Sequence, residues 1–154
     1  MAGWLLTTLL LAIPENFLQL YVALSLQGAT VPLRRLAGYA SLAAVALKVL
    51  RLLPWKFGLH VPFHAALMVV LIRHLTRGPW TFCLIGALVG QLLVAIGEGL
   101  VAAPLLQVLR IPLSEALSSP WLNIAFGYVA DTFLFLVAGY LWASQRHMKA
   151  RAGR

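Results

Sequence analysis

The stretch Ile13-Pro14-Glu15-Asn16-Phe17-Leu18-Gln19 interrupts the first long apolar segment of the chain and decides how that segment must fold. Residues 4–26 are otherwise suited to crossing a membrane, since about 20 apolar residues span the ~30 Å of hydrocarbon. A carboxylate near the middle of such a helix costs about 2.5–3.5 kcal/mol. We therefore expect Glu15 to face protein or water instead of lipid.

The composition is typical of a membrane protein. The chain has 154 residues, of which 62% are hydrophobic and 10% are charged, whereas soluble domains average about 45–50% apolar and about 25% charged residues. The length favours one domain. The net charge of +8 would suggest a nucleic-acid partner in a soluble protein, but here the cations cluster in short loops and a tail, where they set topology. We expect no nucleic-acid partner, and the single cysteine, Cys83, favours no disulfide, metal or redox site.

Five apolar segments predict an all-α, polytopic membrane bundle. They cover residues 4–26, 36–53, 61–75, 81–103 and 122–143. Pro14 is expected to kink the first segment, and Pro104 to end or bend the fourth. The third segment is short for a full span. No Lys or Arg precedes Arg34 and no clear cleavage site follows the first segment, so we expect a retained helix instead of a signal peptide.

The cations of the connecting segments predict the orientation of the bundle. With the C-terminus inside, eight cations lie on the inner side and four on the outer side, which favours an outer N-terminus. The inner set is Arg34, Arg35, Arg73, Arg77, Arg146, Lys149, Arg151 and Arg154, and the outer set is Lys48, Arg51, Lys56 and Arg110. We predict a multi-pass cell-membrane protein with one transmembrane domain, residues 1–145, and a basic cytoplasmic tail, residues 146–154. The tail is suited to anionic lipid or an acidic partner.

Three of the four acidic residues, Glu15, Glu98 and Asp131, lie inside apolar segments. Because neither sign of charge is stable unpaired in hydrocarbon, we hypothesise that Glu98 pairs with Lys48 or Arg51 and that Glu15 or Asp131 joins the same network. The candidates for a ligand site or polar network are Glu15, Asn16, Gln19, Lys48, Arg51, His60, Gln91, Glu98 and Asp131. Such a network either holds the bundle together or lines an outward-facing cavity for a ligand, and the outer cations alternatively extend to lipid headgroups.

His60 and His64 have the one-turn spacing that can hold a metal ion. Zinc needs four ligands and the neighbouring sequence offers no third, so we expect interface or core histidines and no metal. Gly86 and Gly90 have GxxxG spacing, which lets another helix approach closely, within this chain or between chains.

Catalytic motifs are missing from the sequence. The serines lack a GxSxG context, and Gly97-Glu98-Gly99 is not a phosphate-binding loop. We therefore expect no enzyme activity, no catalytic residue and no cofactor.

Three stretches resemble a known family when they are taken together. They are Pro14-Glu15 before an apolar helix, Leu50-Arg51-Leu52-Leu53-Pro54-Trp55-Lys56-Phe57-Gly58-Leu59-His60, and Leu117-Ser118-Ser119-Pro120-Trp121-Leu122. They resemble the membrane-embedded N-terminal region of Firmicutes-type bacterial sensor histidine kinases, of the kind related to the peptide-sensing accessory-gene-regulator kinases. The resemblance covers most of residues 10–143.

The resemblance implies ligand sensing on the outer side and a signal that leaves through the fifth helix to a cytoplasmic C-terminus. The residues to which it assigns sensing are Arg51, Pro54, Phe57, Gly58 and His60. Such kinases continue into a dimerisation helix with a phosphoacceptor histidine and an ATP-binding domain, which the residues up to Arg154 do not include. We therefore expect a stand-alone sensor-like module, or a fragment of a longer product, with no kinase activity.

The sequence thus favours a non-enzymatic membrane module, sensor-like or partner-binding, with its polar cluster open to the outer side. Its expected partners are the lipid bilayer and a membrane or cytoplasmic signalling partner or a second copy of the chain. The alternative is a small proton- or cation-coupled transporter, or a membrane subunit of one, that uses Glu15, Glu98 or Asp131. A third interpretation is an intramembrane metal enzyme using His60 and His64.

Overall fold

The computed structural model describes residues 2–52 and 60–152, and its regular structure within these ranges is entirely helical. The elements in the first half are α1 (Ala2–Thr7), a first π-helical turn (Thr8–Ala12), α2 (Ile13–Leu26), α3 (Leu33–Leu52) and α4 (His60–Thr76). The second half contains α5 (Trp80–Gly97), a second π-helical turn (Glu98–Ala102), α6 (Ala103–Val108), α7 (Leu113–Ser118), α8 (Pro120–Ala130) and α9 (Thr132–Ala152). The predicted all-α class is confirmed.

Within the described residues, two helices are long and apolar enough to cross a membrane, Gly3–Leu26 and Trp80–Val108. Helices α8 and α9 meet at a 50° bend and supply a third candidate if they form one broken span. Helix α4 is apolar but shorter. The structure therefore supports two or three membrane crossings, and the five spans predicted from the sequence stay a prediction.

Both long helices contain a π-helical turn that ends just before a proline. The N–H of Ile13 bonds to the Thr8 carbonyl, and the N–H of Ala103 bonds to the Glu98 carbonyl, five residues back in each case. Proline lacks an N–H, so Pro14 leaves the carbonyl four residues earlier without its helical donor. That carbonyl belongs to Leu10, and the Tyr128 hydroxyl donates to it. A neighbouring helix thus supplies the bond that proline removes, as membrane bundles require.

Helix α2 lies at the centre of the bundle and packs against α3, α4, α5 and α9. Small residues allow the closest approach, because a Cβ added at Gly86 would lie 2.9 Å from Ala23 Cβ and one at Gly90 would lie 3.3 Å from Gln19 Cβ. The predicted glycine face is confirmed, and within this structure it serves contact inside the chain. The apolar core around Leu20, Leu36, Met68 and Ile72 fills the part of the bundle near the end of α2.

The second half of the chain departs from its predicted element boundaries. The fourth predicted segment continues through Pro104 to the end of α6 instead of ending near residue 103. Helix α7 occupies part of the stretch that the sequence suggests is a polar connection. The fifth predicted helix is not continuous, because the chain bends at Asp131 between α8 and α9. The end of α8 presses against Gly97, where an added Cβ would lie 1.6 Å from the Ala130 carbonyl oxygen.

Candidate functional site: a divided polar cavity

Two cavities lie between the described helices on the side of the bundle away from the apolar core. The first has a volume of about 510 Å³ and the second about 430 Å³. Both are lined by Glu15, Arg51, Val94 and Glu98, so these side chains form a shared wall. Such volumes fall within the range of about 300–1,000 Å³ that is typical of small-molecule sites.

The wall of the first cavity holds a continuous chain of hydrogen bonds that joins α2, α4 and α5. His64 Nε2 lies 2.8 Å from Asn16 Oδ1, and His64 Nδ1 lies 2.6 Å from Gln91 Nε2. Gln91 Nε2 also donates to Gln19 Oε1 at 3.3 Å. Gln19 Nε2 in turn donates to Glu15 Oε1 at 3.1 Å. Five polar side chains from three helices are therefore connected to one another.

The direction of donation along this chain is consistent. Asn16 Nδ2 donates to the Ala12 carbonyl at 2.7 Å, which leaves Asn16 Oδ1 as the acceptor toward the ring. His64 therefore carries its proton on Nε2 and accepts from Gln91 at Nδ1, as the surrounding network assigns it. Asn16, Gln19 and His64 are almost fully buried. Because each of them has a partner, this network stabilises the packing of the three helices.

The second cavity is bordered by the end of α8, where Asp131 marks the bend into α9. The side chain of Asp131 is only 2% exposed, and its Oδ2 atom has no hydrogen-bond partner among the described residues. The N–H of Asp131 bonds to the Gly127 carbonyl at 2.9 Å. A buried carboxylate oxygen without a hydrogen-bond donor is energetically costly. In this respect Asp131 differs from the buried polar side chains beside the first cavity, which are hydrogen-bonded to one another.

Of the two cations hypothesised to pair with Glu98, Lys48 has a different polar partner and Arg51 lies in the cavity linings with Glu98. Lys48 Nζ donates to Thr7 Oγ1 at 3.0 Å, and within the described residues its polar contact is this hydroxyl instead of Glu98. Arg51 and Glu98 both line the two cavities, so the Arg51 alternative of the hypothesised ion pair stays a prediction.

Among the described residues, the structure offers no further metal ligand beside His60 and His64. Both residues line the first cavity, but the two ring nitrogens of His64 already face the amides of Asn16 and Gln91. Within residues 2–52 and 60–152, no three His, Cys, Asp or Glu side chains are grouped closely enough to hold a metal ion.

Most of the candidates named from the sequence meet around this divided cavity. Glu15, Asn16, Gln19 and Gln91 belong to the hydrogen-bonded chain. The remaining candidates in the cavity linings are Arg51, His60, Glu98 and Asp131.

His64 is buried as a core histidine, which is one of the two alternatives expected from the sequence, but its partners Asn16 and Gln91 were not anticipated. Two further contributors to this region were missed. Asn123 lines the second cavity, and Tyr128 supports the first π-helical turn.

Some predicted residues lie outside the part of the chain that the structure describes. They are Pro54, Lys56, Phe57 and Gly58 of the proposed sensing stretch.

No protein family, characterised protein or solved structure matches this chain with significant similarity.

Proposed function

We propose that this chain is a non-enzymatic, sensor-like membrane module that binds a small ligand in the divided polar cavity and passes a change to α9. The observation that carries this proposal is the position of Asp131, which borders the second cavity and is also the residue at the 50° bend between α8 and α9. A ligand that engages this side chain would act directly on the angle of the last helix. The end of α9 includes most of the basic tail, which offers a surface for a cytoplasmic partner.

The proposed topology has five membrane crossings, with the N-terminus outside and the C-terminus inside. In this orientation Arg51 at the end of α3, His60 at the start of α4 and Glu98 after α5 lie toward the outer side. All three line the first cavity. The charge distribution along the sequence supports this arrangement, which places the cavity where a ligand from outside the cell could enter.

A small proton- or cation-coupled transporter is the second candidate. Glu15 and Asp131 line the same cavity, and intramembrane carboxylates are common in proton pathways. The two functions differ in whether a solute crosses the membrane.

Flux across liposomes and recovery of partners from native membranes separate the two candidates. The tagged chain is purified in mild detergent for mass spectrometry, and the same chain is reconstituted into liposomes that contain a pH-sensitive dye. If the chain is a sensor module, a membrane or signalling protein should be recovered with it in a fixed ratio. Liposomes that contain the chain should dissipate an imposed pH gradient no faster than empty liposomes. Proton flux that is lost in Glu15→Gln, but retained in the Glu115→Gln control on α7, would overturn the sensor proposal in favour of the transporter.

A further inference from the structure

We propose that the second cavity binds an organic ammonium ion with a short apolar body, and that Asp131 is its counter-ion. This inference rests on the proposed function and names the class of ligand for the same site. Two independent features of the cavity support it: the balance of charge in its walls and the buried oxygen of Asp131.

The balance of charge in the walls favours a cation. Three carboxyl groups, those of Glu15, Glu98 and Asp131, line the second cavity together with one guanidinium, that of Arg51. Fully ionised walls would carry two negative charges in excess, which a bound cation would offset. The fourth acidic residue, Glu115, lies exposed on α7. The acidic groups of this chain are thus concentrated around one space.

Asp131 Oδ2 supplies the second observation. The side chain is 98% buried, since 2% of it is exposed, and this oxygen meets no donor within the described part of the chain. The exposed Arg51 therefore does not satisfy it, although both residues line the same cavity. An ammonium group carries three N–H donors and no acceptor, which fits a buried carboxylate oxygen that still needs a hydrogen bond.

The walls favour an organic ion over a metal ion. In the described ranges no three acidic, His or Cys side chains converge as a metal site would require. Leu11, Leu106, Leu117 and Phe126 supply apolar surface to the cavity. The volume of about 430 Å³ has room for a small organic molecule, whose alkyl part would contact these side chains while its head reaches Asp131.

Binding of n-butylammonium to the full chain in nanodiscs tests this inference. Isothermal titration with empty nanodiscs as reference compares n-butylammonium with 1-butanol, butyrate and potassium ions. We expect saturable binding of n-butylammonium only. Asp131→Asn should weaken it by roughly tenfold to a hundredfold, the loss expected for a charge-assisted hydrogen bond, and Glu98→Gln should weaken it less. Glu115→Gln is the matched control and should bind as the unmodified chain does.

Each outcome decides the question. Equal binding of 1-butanol, unchanged binding in Asp131→Asn, or no saturable binding of n-butylammonium would overturn the ammonium site. If Asp131→Asn does not fold, unchanged binding in Glu98→Gln and in Glu15→Gln would overturn it as well. Butyrate binding that requires Arg51 would exclude the ammonium inference while leaving the ligand-binding module intact, whereas the flux and partner experiments test the module independently of any ammonium probe.

Discussion

The two cavities share a wall of Glu15, Arg51, Val94 and Glu98, yet they differ in how their polar groups are satisfied. Beside the first cavity, His64 is held between Asn16 and Gln91. Beside the second, Asp131 Oδ2 has no donor within the described helices. Buried polar residues of one bundle therefore differ in how they are satisfied: the network around His64 stabilises helix packing, whereas Asp131 Oδ2 has no donor among the described residues.

The packing of α8 against α5 beside the second cavity depends most on Gly97. In Gly97→Ala the new Cβ would lie 1.6 Å from the Ala130 carbonyl oxygen, so α8 must move away from α5. We expect the free energy of unfolding to fall by about 3 kcal/mol or more, at the upper end of overpacking effects. Unfolding in mixed micelles, or loss of monodisperse protein, measures this.

Gly99→Ala is the matched control, because nothing lies within 4 Å of a Cβ placed there. Equal stability of the two variants would show that α8 does not press against α5 in the way described.

The network beside the first cavity is broken by His64→Leu. This change leaves Asn16 Oδ1 and one donor of Gln91 without the partners they have now. We expect a loss of about 2 kcal/mol, since each buried polar group left unsatisfied costs about 1–3 kcal/mol. The midpoint of unfolding in mixed micelles gives the value. His60→Leu alters the same cavity one helical turn away and should cost clearly less; a similar loss in both variants would argue against the network.

Tyr128 connects α8 to the first π-helical turn through its bond to the Leu10 carbonyl. Tyr128→Phe removes the donor and keeps the ring, so we expect a loss of about 1 kcal/mol. Tyr140→Phe on α9 is the control, because the Tyr140 side chain is 73% exposed. Thermal unfolding of both variants compares them, and an unchanged Tyr128→Phe would mean that the proline at position 14 needs no outside donor.

The smallest effect, and the one of opposite sign, is expected for Asp131→Asn in the absence of ligand. An amide costs less to bury than a carboxylate whose oxygen lacks a donor, so we expect a gain of about 0.5 kcal/mol. Glu15→Leu should instead lose stability, because it leaves Gln19 Nε2 without the oxygen that accepts from it. Thermal unfolding in ligand-free nanodiscs compares the stabilities of the two variants. Destabilisation of equal size would contradict the difference described between the polar groups of the two cavities.

Local chemistry made part of this structure predictable from the sequence. The cost of burying a carboxylate placed Glu15 in the protein interior, and GxxxG spacing predicted the close approach at Gly86 and Gly90. Each of these predictions depends only on the residues of a single helix and on what surrounds it.

The remaining features depend on how separate helices are rotated against one another. The contact of His64 with Asn16 and Gln91 joins three helices that are distant in sequence, so no local pattern contains it. The bend at Asp131 was missed because the sequence on both sides of this residue is apolar and no proline follows Pro120 at the start of α8.

The first π-helical turn makes the contacts of α1 sensitive to the number of residues in this part of the chain. A π-helical turn corresponds to an α-helix with one residue inserted, and one residue rotates the following part of a helix by about 100°. The first turn therefore sets which way α1 faces relative to α2, so that Thr7 meets Lys48 while Glu15 borders the cavities. A natural variant that is one residue shorter within Thr8–Ala12 would keep every side chain of the site and still fail to bring Thr7 and Lys48 together. The number of residues between these groups, and not only their identity, is part of what this sequence encodes.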